Sequence, residues 1–490
     1  LAVRLSHALA TAFGRDVPVA VMFSHRTILE QAAWMESQSG ALERAKIGRR
    51  TGADAPLSRA QRRMWFLQTL DPESTSYQVP MTLRFLEQVD TQALERSFHA
   101  MVARHEVLRT RYPVDDFEAR QQVMGVETTA SWSQVEGSVL RSAIASAVAT
   151  PFDLSAELPV RGYCFECGGE TTLLVLFHHI AVDAWSSPQL LEELESSYEA
   201  FRDGLADPVG PSEIQFGDYA SWENETPVAE SDVDFWSDTL RDARTSIDWV
   251  VRHQSSTTPG AELAQPVPIP GSLLGEVHDL ADRCGTTPFV VGLTLFSAFL
   301  MRLNGQTDLT IGLPVTLRSR PELQTVVGLL LNTVVLRLKL DVSQDFVSTI
   351  GTVKRAWEES MPYHEVPLDH VVQAVGSRER SLFDAMFVYL QPGAERTSFA
   401  GLACEKVESI EGARAKFPLT MTLGGHDRGL SGELLVDANV FGAESVKALS
   451  DALGIFIESA LNAPEVPVGT LETRSSDTNS EVEDWRTGTR

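Results

Sequence analysis

Thr171-Thr172-Leu173-Leu174-Val175-Leu176-Phe177 is an unbroken apolar run of strand length, and it leads directly into His178-His179-Ile180-Ala181-Val182-Asp183-Ala184-Trp185-Ser186. A run without polar alternation is the pattern of a strand covered on both faces, as in α/β sheets. The carboxyl end of such a strand is where these sheets commonly place a ligand site. Neighbours on an extended chain point to opposite faces, so one histidine faces an open side and the other faces packing. Downstream, Ser186 or Ser187 suits a helix N-cap and Pro188 a first turn, and Leu190, Leu191, Leu194, Tyr198 and Phe201 form a helical stripe. Asp183 therefore falls in a tight strand-to-helix connection.

Taken alone, the histidines and Asp183 also fit core filling and a turn residue. A metal site is opposed by the divergence of adjacent strand residues and by the lack of a third ligand at helical spacing. The chain has no G-x-S-x-G elbow and no placed cysteine nucleophile. A transferase built on this stretch works by direct transfer.

The 490 residues exceed what one hydrophobic core accommodates, so two or three domains are expected. The 43% apolar and 22% charged shares are those of a folded globular protein. A formal charge of -26 opposes phosphate backbones and anionic lipid, which excludes nucleic acid as an expected partner. The longest apolar runs, Val326–Leu331 and Phe289–Leu300, are too short or too polar for a bilayer span. Of the 4 cysteines, Cys164 and Cys167 have redox-motif spacing but lie on a predicted strand ending at Gly168-Gly169. Residues three apart on a strand face opposite ways, so their sulfurs diverge.

Residues 36–56 are small, polar and aperiodic, the pattern of a linker. From Leu57 to about Val468 helical and strand patterns alternate, which predicts an α/β body of two lobes with a crossover in Trp222–Asp234. The acidic tail from Ser475 reads as a further connector.

Other stretches keep the histidine pair company. They are Leu57-Ser58-Arg59-Ala60-Gln61-Arg62-Arg63-Met64-Trp65-Phe66-Leu67, Arg104-His105-Glu106-Val107-Leu108-Arg109-Thr110, Phe216-Gly217-Asp218-Tyr219-Ala220-Ser221-Trp222, Val327-Gly328-Leu329-Leu330-Leu331-Asn332-Thr333, His364-Glu365-Val366-Pro367-Leu368 and, more loosely, Arg380–Phe387. With His178–Asp183 in third place, these resemble in order the seven motifs of nonribosomal peptide synthetase condensation domains. Seven ordered matches over residues 57–470 are far more specific than any one of them.

The resemblance implies two chloramphenicol-acetyltransferase-like lobes in a V-shaped pseudo-dimer, with a tunnel reached by a donor and an acceptor carrier. It implies amide bond formation, by attack of the acceptor's α-amine on the donor's thioester. His179 is then the tunnel-facing group, with His178 on the packing side and Asp183 paired with Arg109 to hold the turn. These four are the expected catalytic set. The expected substrate contacts are Ala184 and Ser186 on the turn and Trp222 and Asn332 at motif positions near the tunnel, although a core aromatic is the plain reading of Trp222. The family usually has Gly where Ala184 stands, so a methyl and a restricted φ enter the turn.

Met64-Trp65-Phe66-Leu67 with Asp71–Pro80 resembles domains that take an L-configured donor, and the Asp-x-x-x-x-Asp of heterocyclising relatives is absent. Leu1–Met35 is similar to the latter part of a peptidyl carrier domain whose phosphopantetheine serine precedes Leu1. The expected organisation is a helical partial carrier domain at 1–38, a linker at 39–56, lobes at 57–228 and 229–470, and a tail at 471–490. The expected cofactor is 4′-phosphopantetheine presented by carrier domains, with no metal. Expected partners are the upstream donor carrier, the downstream acceptor carrier and a neighbouring adenylation domain, within a monomeric cytoplasmic module cut from a longer chain. The competing readings are a silent relative that docks carriers or recruits partner enzymes, and an epimerase or ester-forming cousin.

Overall fold

The computed structural model describes residues 2–473 apart from 14–16, 18–20, 23–24, 26, 38–45, 116–117, 137–139, 248, 250–261, 377–380, 391–396, 407–414 and 427–428. The chain forms two compact units. The first comprises Leu1–Pro227 and takes back two later segments, Thr316–Leu331 and Arg396–Ala413. The second comprises Val228–Val315, Asn332–Glu395 and Arg414–Arg490. The chain leaves the first unit between Pro227 and Val228, inside the predicted crossover. Trp222 itself lies in a helix. The expected contiguous lobes miss the two returning segments, because no local pattern marks a segment that packs at long range.

At the amino end, helices α1 (Ala2–Phe13) and α2 (Ile28–Ser37) enclose a small cluster of Val17, Val21 and Met35. The latter half of the predicted linker belongs to the first unit's fold. Ile47 is buried in its core, Ala55–Pro56 pairs with Glu118–Val123, and Arg50 bonds Asp218 and Glu106. These anchors are too sparse to leave a periodic trace in the sequence.

Helix α3 (Arg59–Leu70) starts at a capping box formed by Ser58 and Gln61. Strand β1 (Gln78–Phe85), helix α4 (Thr91–Arg104) and strands β2 (Ser131–Glu136), β3 (Val160–Cys167) and β4 (Glu170–His178) follow. Helices α5 (Ser186–Arg202) and α6 (Phe216–Glu225) come next in the unit. Its six-stranded sheet runs in the order Ser398–Phe399, Leu402–Lys406, β1, β4, β3, β2, with β2 parallel to β3 and all other pairs antiparallel. Strands β3 and β4 join through Gly168 and Gly169, at φ 61° and 89°. A two-residue turn with both positions left-handed suits glycine. Leu173 to Phe177 are at most 1% exposed, as a run without alternation requires. Cys164 is buried, Cys167 is half-buried, and both are free thiols.

The second unit has its own six-stranded sheet, in the order Leu331–Lys339, Asp308–Thr316, Ala385–Leu390, Leu419–His426, Gly429–Asp437, Glu262–Val267. Its core gathers around the buried helix Pro288–Asn304. Four strands repeat the topology of the first unit. Ala385–Leu390 runs parallel to Leu419–His426, which forms an antiparallel pair with Gly429–Asp437, itself antiparallel to Glu262–Val267. The series β2, β3, β4, β1 has the same three relations. At the place of His178-His179 and the turn to α5, the second unit has Asp437-Ala438-Asn439-Val440-Phe441 before helix Ala443–Asn462. The histidine turn is thus present in one half of a structural repeat. Among the described residues no single helix is long and apolar enough to cross a membrane.

Candidate active site

Strand β4 ends at His178, so the two histidines straddle its last position. His178 is 1% exposed and His179 is half-buried. Their ring protons follow from their partners. His179 Nδ1 lies 2.7 Å from the Val182 carbonyl oxygen, which only accepts. In the neutral ring Nδ1 therefore carries the proton and Nε2 the lone pair. His178 is the opposite tautomer. The Ile180 N–H donates to its Nδ1 at 3.1 Å, so Nε2 is the donor to Gln68 Oε1 at 3.2 Å. The edge-on ring of Phe152 packs against His178 at 5.9 Å.

Asp183 is buried and fully engaged. Its Oδ1 accepts from Ser186 N at 2.9 Å, Ser186 Oγ at 2.8 Å and Arg318 Nη2 at 3.2 Å. Its Oδ2 accepts from Arg318 Nη1 at 2.6 Å and Leu330 N at 3.0 Å. Such a carboxylate clamps its surroundings. It also takes over the helix start. The N-cap of α5 is Trp185, without a side-chain bond, and Asp183 accepts the Ser186 N–H instead of a serine cap. Pro188 is the third helical residue, within the first turn.

The expected partnership of Asp183 with Arg109 is corrected: the partner is Arg318, whose side chain is 0% exposed. Arg109 ends a short 3-10 turn, donates to the carbonyls of Ala103 and Met124, and lies 3.7 Å from Glu106 Oε1. With Arg49, Arg50, Glu106 and Asp218 it lines a separate cavity of about 390 Å³. Arg318 escaped sequence reading because it is 135 residues from Asp183, in the segment that returns to the first unit.

The rest of the second motif is a buried network. Arg104 bonds Glu193 and Asp207 at 2.7 and 2.6 Å, and His105 Nε2 is 2.7 Å from the same Glu193 oxygen. Burial alone would raise Glu193, but the bonds from His105, Gln189 and Arg104 outweigh it and hold the carboxyl at about 2.

Ala184 is exposed, and the non-glycine residues at positive φ among those described are Asp242 and Ala400. Its methyl is therefore carried without a left-handed backbone, so the turn accepts alanine where the family usually has glycine. Ser186 Oγ is buried between Asp183 and Gly328, where the Gly328 N–H donates to it at 3.2 Å. That geometry makes it a brace of the turn. Trp222 is half-buried beside Tyr219, with the Arg320 guanidinium 5.1 Å from its ring centre. Asn332 belongs to the second unit and spends both amide hydrogens on the carbonyls of His364 and Val366, at 2.9 and 2.7 Å. The structure thus assembles His178, His179, Asp183 and Ser186 with Arg318, and leaves Arg109 outside. Gln61 and Gln68, two turns apart on α3, also reach the turn and were not singled out in the sequence. Buried polar side chains on an otherwise apolar face were the signal. Among the described residues no group of three or more His, Cys, Asp or Glu could hold a metal ion.

Fold and site define a two-unit α/β protein with an oriented histidine at the carboxyl end of a central strand of one unit. A family model described as the condensation domain matches residues 52–482, and the chain belongs to that family. It is 30% identical over 442 residues to the phosphinothricin tripeptide synthetase of Streptomyces viridochromogenes, covering 85% of this chain and 40% of that one. It is 28% identical over 514 residues to a dimodular nonribosomal peptide synthase of Bacillus subtilis, covering 99% and 21% respectively. The chain thus spans well under half the length of these relatives. Among solved structures, the fold is shared with the first condensation domain of the calcium-dependent antibiotic synthetase, at TM-score 0.74 and 20% identity over 85% of this chain and 98% of that one. It is shared equally with the X-domain from teicoplanin biosynthesis, at TM-score 0.76 and 20% identity over 87% and 100%. The chain is a condensation domain of the nonribosomal peptide synthetase type.

Proposed function

We propose that this condensation domain is catalytically competent and joins a donor peptidyl or aminoacyl thioester to an acceptor aminoacyl thioester through an amide bond. The observation that carries this reading is the tautomer of His179. With its Nδ1–H held on Val182 O, the ring offers Nε2 as a hydrogen-bond acceptor and base. An α-amine of pKa about 7.7–8.0 is already partly neutral near a pH of about 7.5, so little deprotonation is needed before attack. Nε2 orients the amine, then takes the proton that becomes acidic once the new C–N bond has formed. The leaving thiolate of the donor is released on its 4′-phosphopantetheine arm, which is part of the substrate. His178, Asp183 and Arg318 support the turn, and Arg109 supports the second-motif region.

In this reading Ala184 borders the path of the acceptor, and Trp222 and Asn332 act through the elements they brace. The donor is L-configured, the acyl units arrive on upstream and downstream carrier domains, and an adenylation domain adjoins in a monomeric cytoplasmic module. Residues 1–38 derive from the upstream carrier. The test loads a defined peptidyl donor and aminoacyl acceptor on separate carriers and compares the chain with His179→Ala. Condensation by the parent and its loss in the variant are expected. Equal product from both would refute the catalytic role. Tight carrier binding without product from the parent would favour a silent docking domain, for which the supporting observation is the fold shared with an X-domain solved in complex with OxyB.

A further inference from the structure

Helix α3 carries two glutamines on its buried side, Gln61 at 0% and Gln68 at 6% exposure. Gln61 Nε2 donates to Ile180 O at 3.1 Å and lies 3.2 Å from Tyr112 Oη. Gln68 presents its oxygen to His178 because its amide nitrogen donates to the carbonyls of Pro72 and Ser74, at 3.1 and 3.4 Å. His178 passes that constraint on. Its Nε2–H donates to Gln68 and its Nδ1 accepts the Ile180 N–H. Both backbone polar groups of Ile180 therefore trace back to one helix, the carbonyl directly and the N–H through a histidine. Ile180 is the residue after His179, whose own N–H donates to Tyr77 O at 2.7 Å.

A methionine at either position would fill similar volume without burying an amide, and burying an amide is costly unless it is bonded. The Gln61 oxygen completes the capping box by accepting the Ser58 N–H at 3.1 Å, which a glutamate would serve as well, whereas the Gln61 amide nitrogen and the Gln68 amide are accounted for by what they hold. We infer that Gln61 and Gln68 are positioning residues that set the direction of the His179 ring by gripping Ile180 from both sides, Gln61 as donor and Gln68 as acceptor. The inference rests on the amide-forming reading for its kinetic effect. It also explains why His178 is a histidine: a ring that accepts at one nitrogen while donating at the other is what joins Gln68 to a backbone N–H.

The donor and acceptor assignments separate this from a packing role. In Gln68→Glu the carboxylate still accepts from His178 Nε2–H. Acid that protonates His178 then puts a second N–H against Ile180 N–H, so turnover relative to the parent falls as pH is lowered. In Gln61→Glu the carboxylate faces Ile180 O and cannot donate. Acid that protonates it restores a donor, so turnover relative to the parent rises. Among the described residues, the titratable and charged groups around this cluster include His178, His179 and Tyr112, Tyr77 with Arg63, Asp183 with Arg318, Arg161 with Glu157 beyond the Phe152 ring, and Glu223 of α6, which accepts the Arg59 N–H. All are present in the parent, which is why each profile is taken as a ratio to it.

The experiment measures condensation on loaded carriers with the full chain across pH for both Glu variants, and with Gln61→Met and Gln68→Met at neutral pH. Opposite pH slopes for the Glu pair are expected. The Met variants should lose kcat on the order of 10²-fold with little change in KM, since misplacing a catalytic group by about 1 Å costs that much. Parallel pH profiles, or Met variants with parental kcat per folded molecule, would overturn the inference. If the buried carboxylates prevent folding, the kcat against KM split of the Met variants decides. Nitrogen NMR of the His179 ring supplies a readout independent of product: the Nδ1–H tautomer of the parent should become mixed in the Met variants. Its persistence refutes the grip even if the parent proves silent.

Discussion

Replacing Arg318 by Met isolates the contribution of a buried cation to holding the histidine turn. The guanidinium is fully buried and gives Asp183 two bonds, at 2.6 and 3.2 Å, and it also donates to the carbonyl of Val326 at 2.9 Å. Methionine leaves the Asp183 carboxylate buried with only the Ser186 and Leu330 donors. Breaking a buried pair from one side costs about 3–5 kcal/mol. The cost should appear where the donors are, so the assay is hydrogen exchange of the Ser186 and Leu330 amides in the full chain. Exchange at both should quicken on the order of 10²- to 10³-fold, and condensation should fall with it as His179 loses its support. Arg109→Met is the control. It removes two carbonyl bonds and an ion pair stretched to 3.7 Å. That is about 1–2 kcal/mol, confined to its own turn. A double-mutant cycle with Asp183→Asn should give a coupling above about 2 kcal/mol for Arg318 and below about 0.5 kcal/mol for Arg109. Equal couplings, or unchanged exchange at Ser186 and Leu330 in Arg318→Met, would refute the pairing and the support role built on it.

Two further outcomes follow from the same structure. Gly328 adopts φ +157°, and a Cβ there would stand 1.9 Å from Phe216 Cδ2. Gly328→Ala should therefore lower stability by about 1–3 kcal/mol through overpacking, read as a lowered urea midpoint, with part of the loss recovered in combination with Phe216→Leu. Glu193 is held at about 2 by His105 and its other partners, well below the unfolded carboxylate value of about 4.3. Its contribution is complete above the unfolded value and is lost as pH falls toward 2, on the order of 3 kcal/mol in total. Glu193→Gln should flatten the acid limb of stability against pH between about 4.5 and 2, measured by urea unfolding. An unchanged acid limb would remove the ion pair with Arg104 and His105 as its cause.

The strand, the turn and the helix around the histidines were legible because their signals are local. An apolar run, a polar interruption and a helical stripe sit within some thirty residues. Strand alternation gave the divergence of His178 and His179, and the family resemblance gave which of the two faces packing. The second half of the linker was misread because Ile47, Arg50 and Ala55 are isolated contacts without period. Gln61 and Gln68 were passed over for a different reason. Their spacing of seven puts them on one face of α3, but their role depends on His178 and Ile180 meeting that face in space.

The amino-acid order by itself determined the α/β alternation, the histidine pair at a strand's end, and Asp183 in the turn, since backbone sterics and side-chain periodicity act over a few residues. The tertiary structure alone decided which cation holds Asp183. Among 41 Lys and Arg, nothing in one dimension distinguishes Arg318 from Arg109. An ion pair is chosen by distance and desolvation in space, and only the return of Thr316–Leu331 to the first unit brings Arg318 to Asp183.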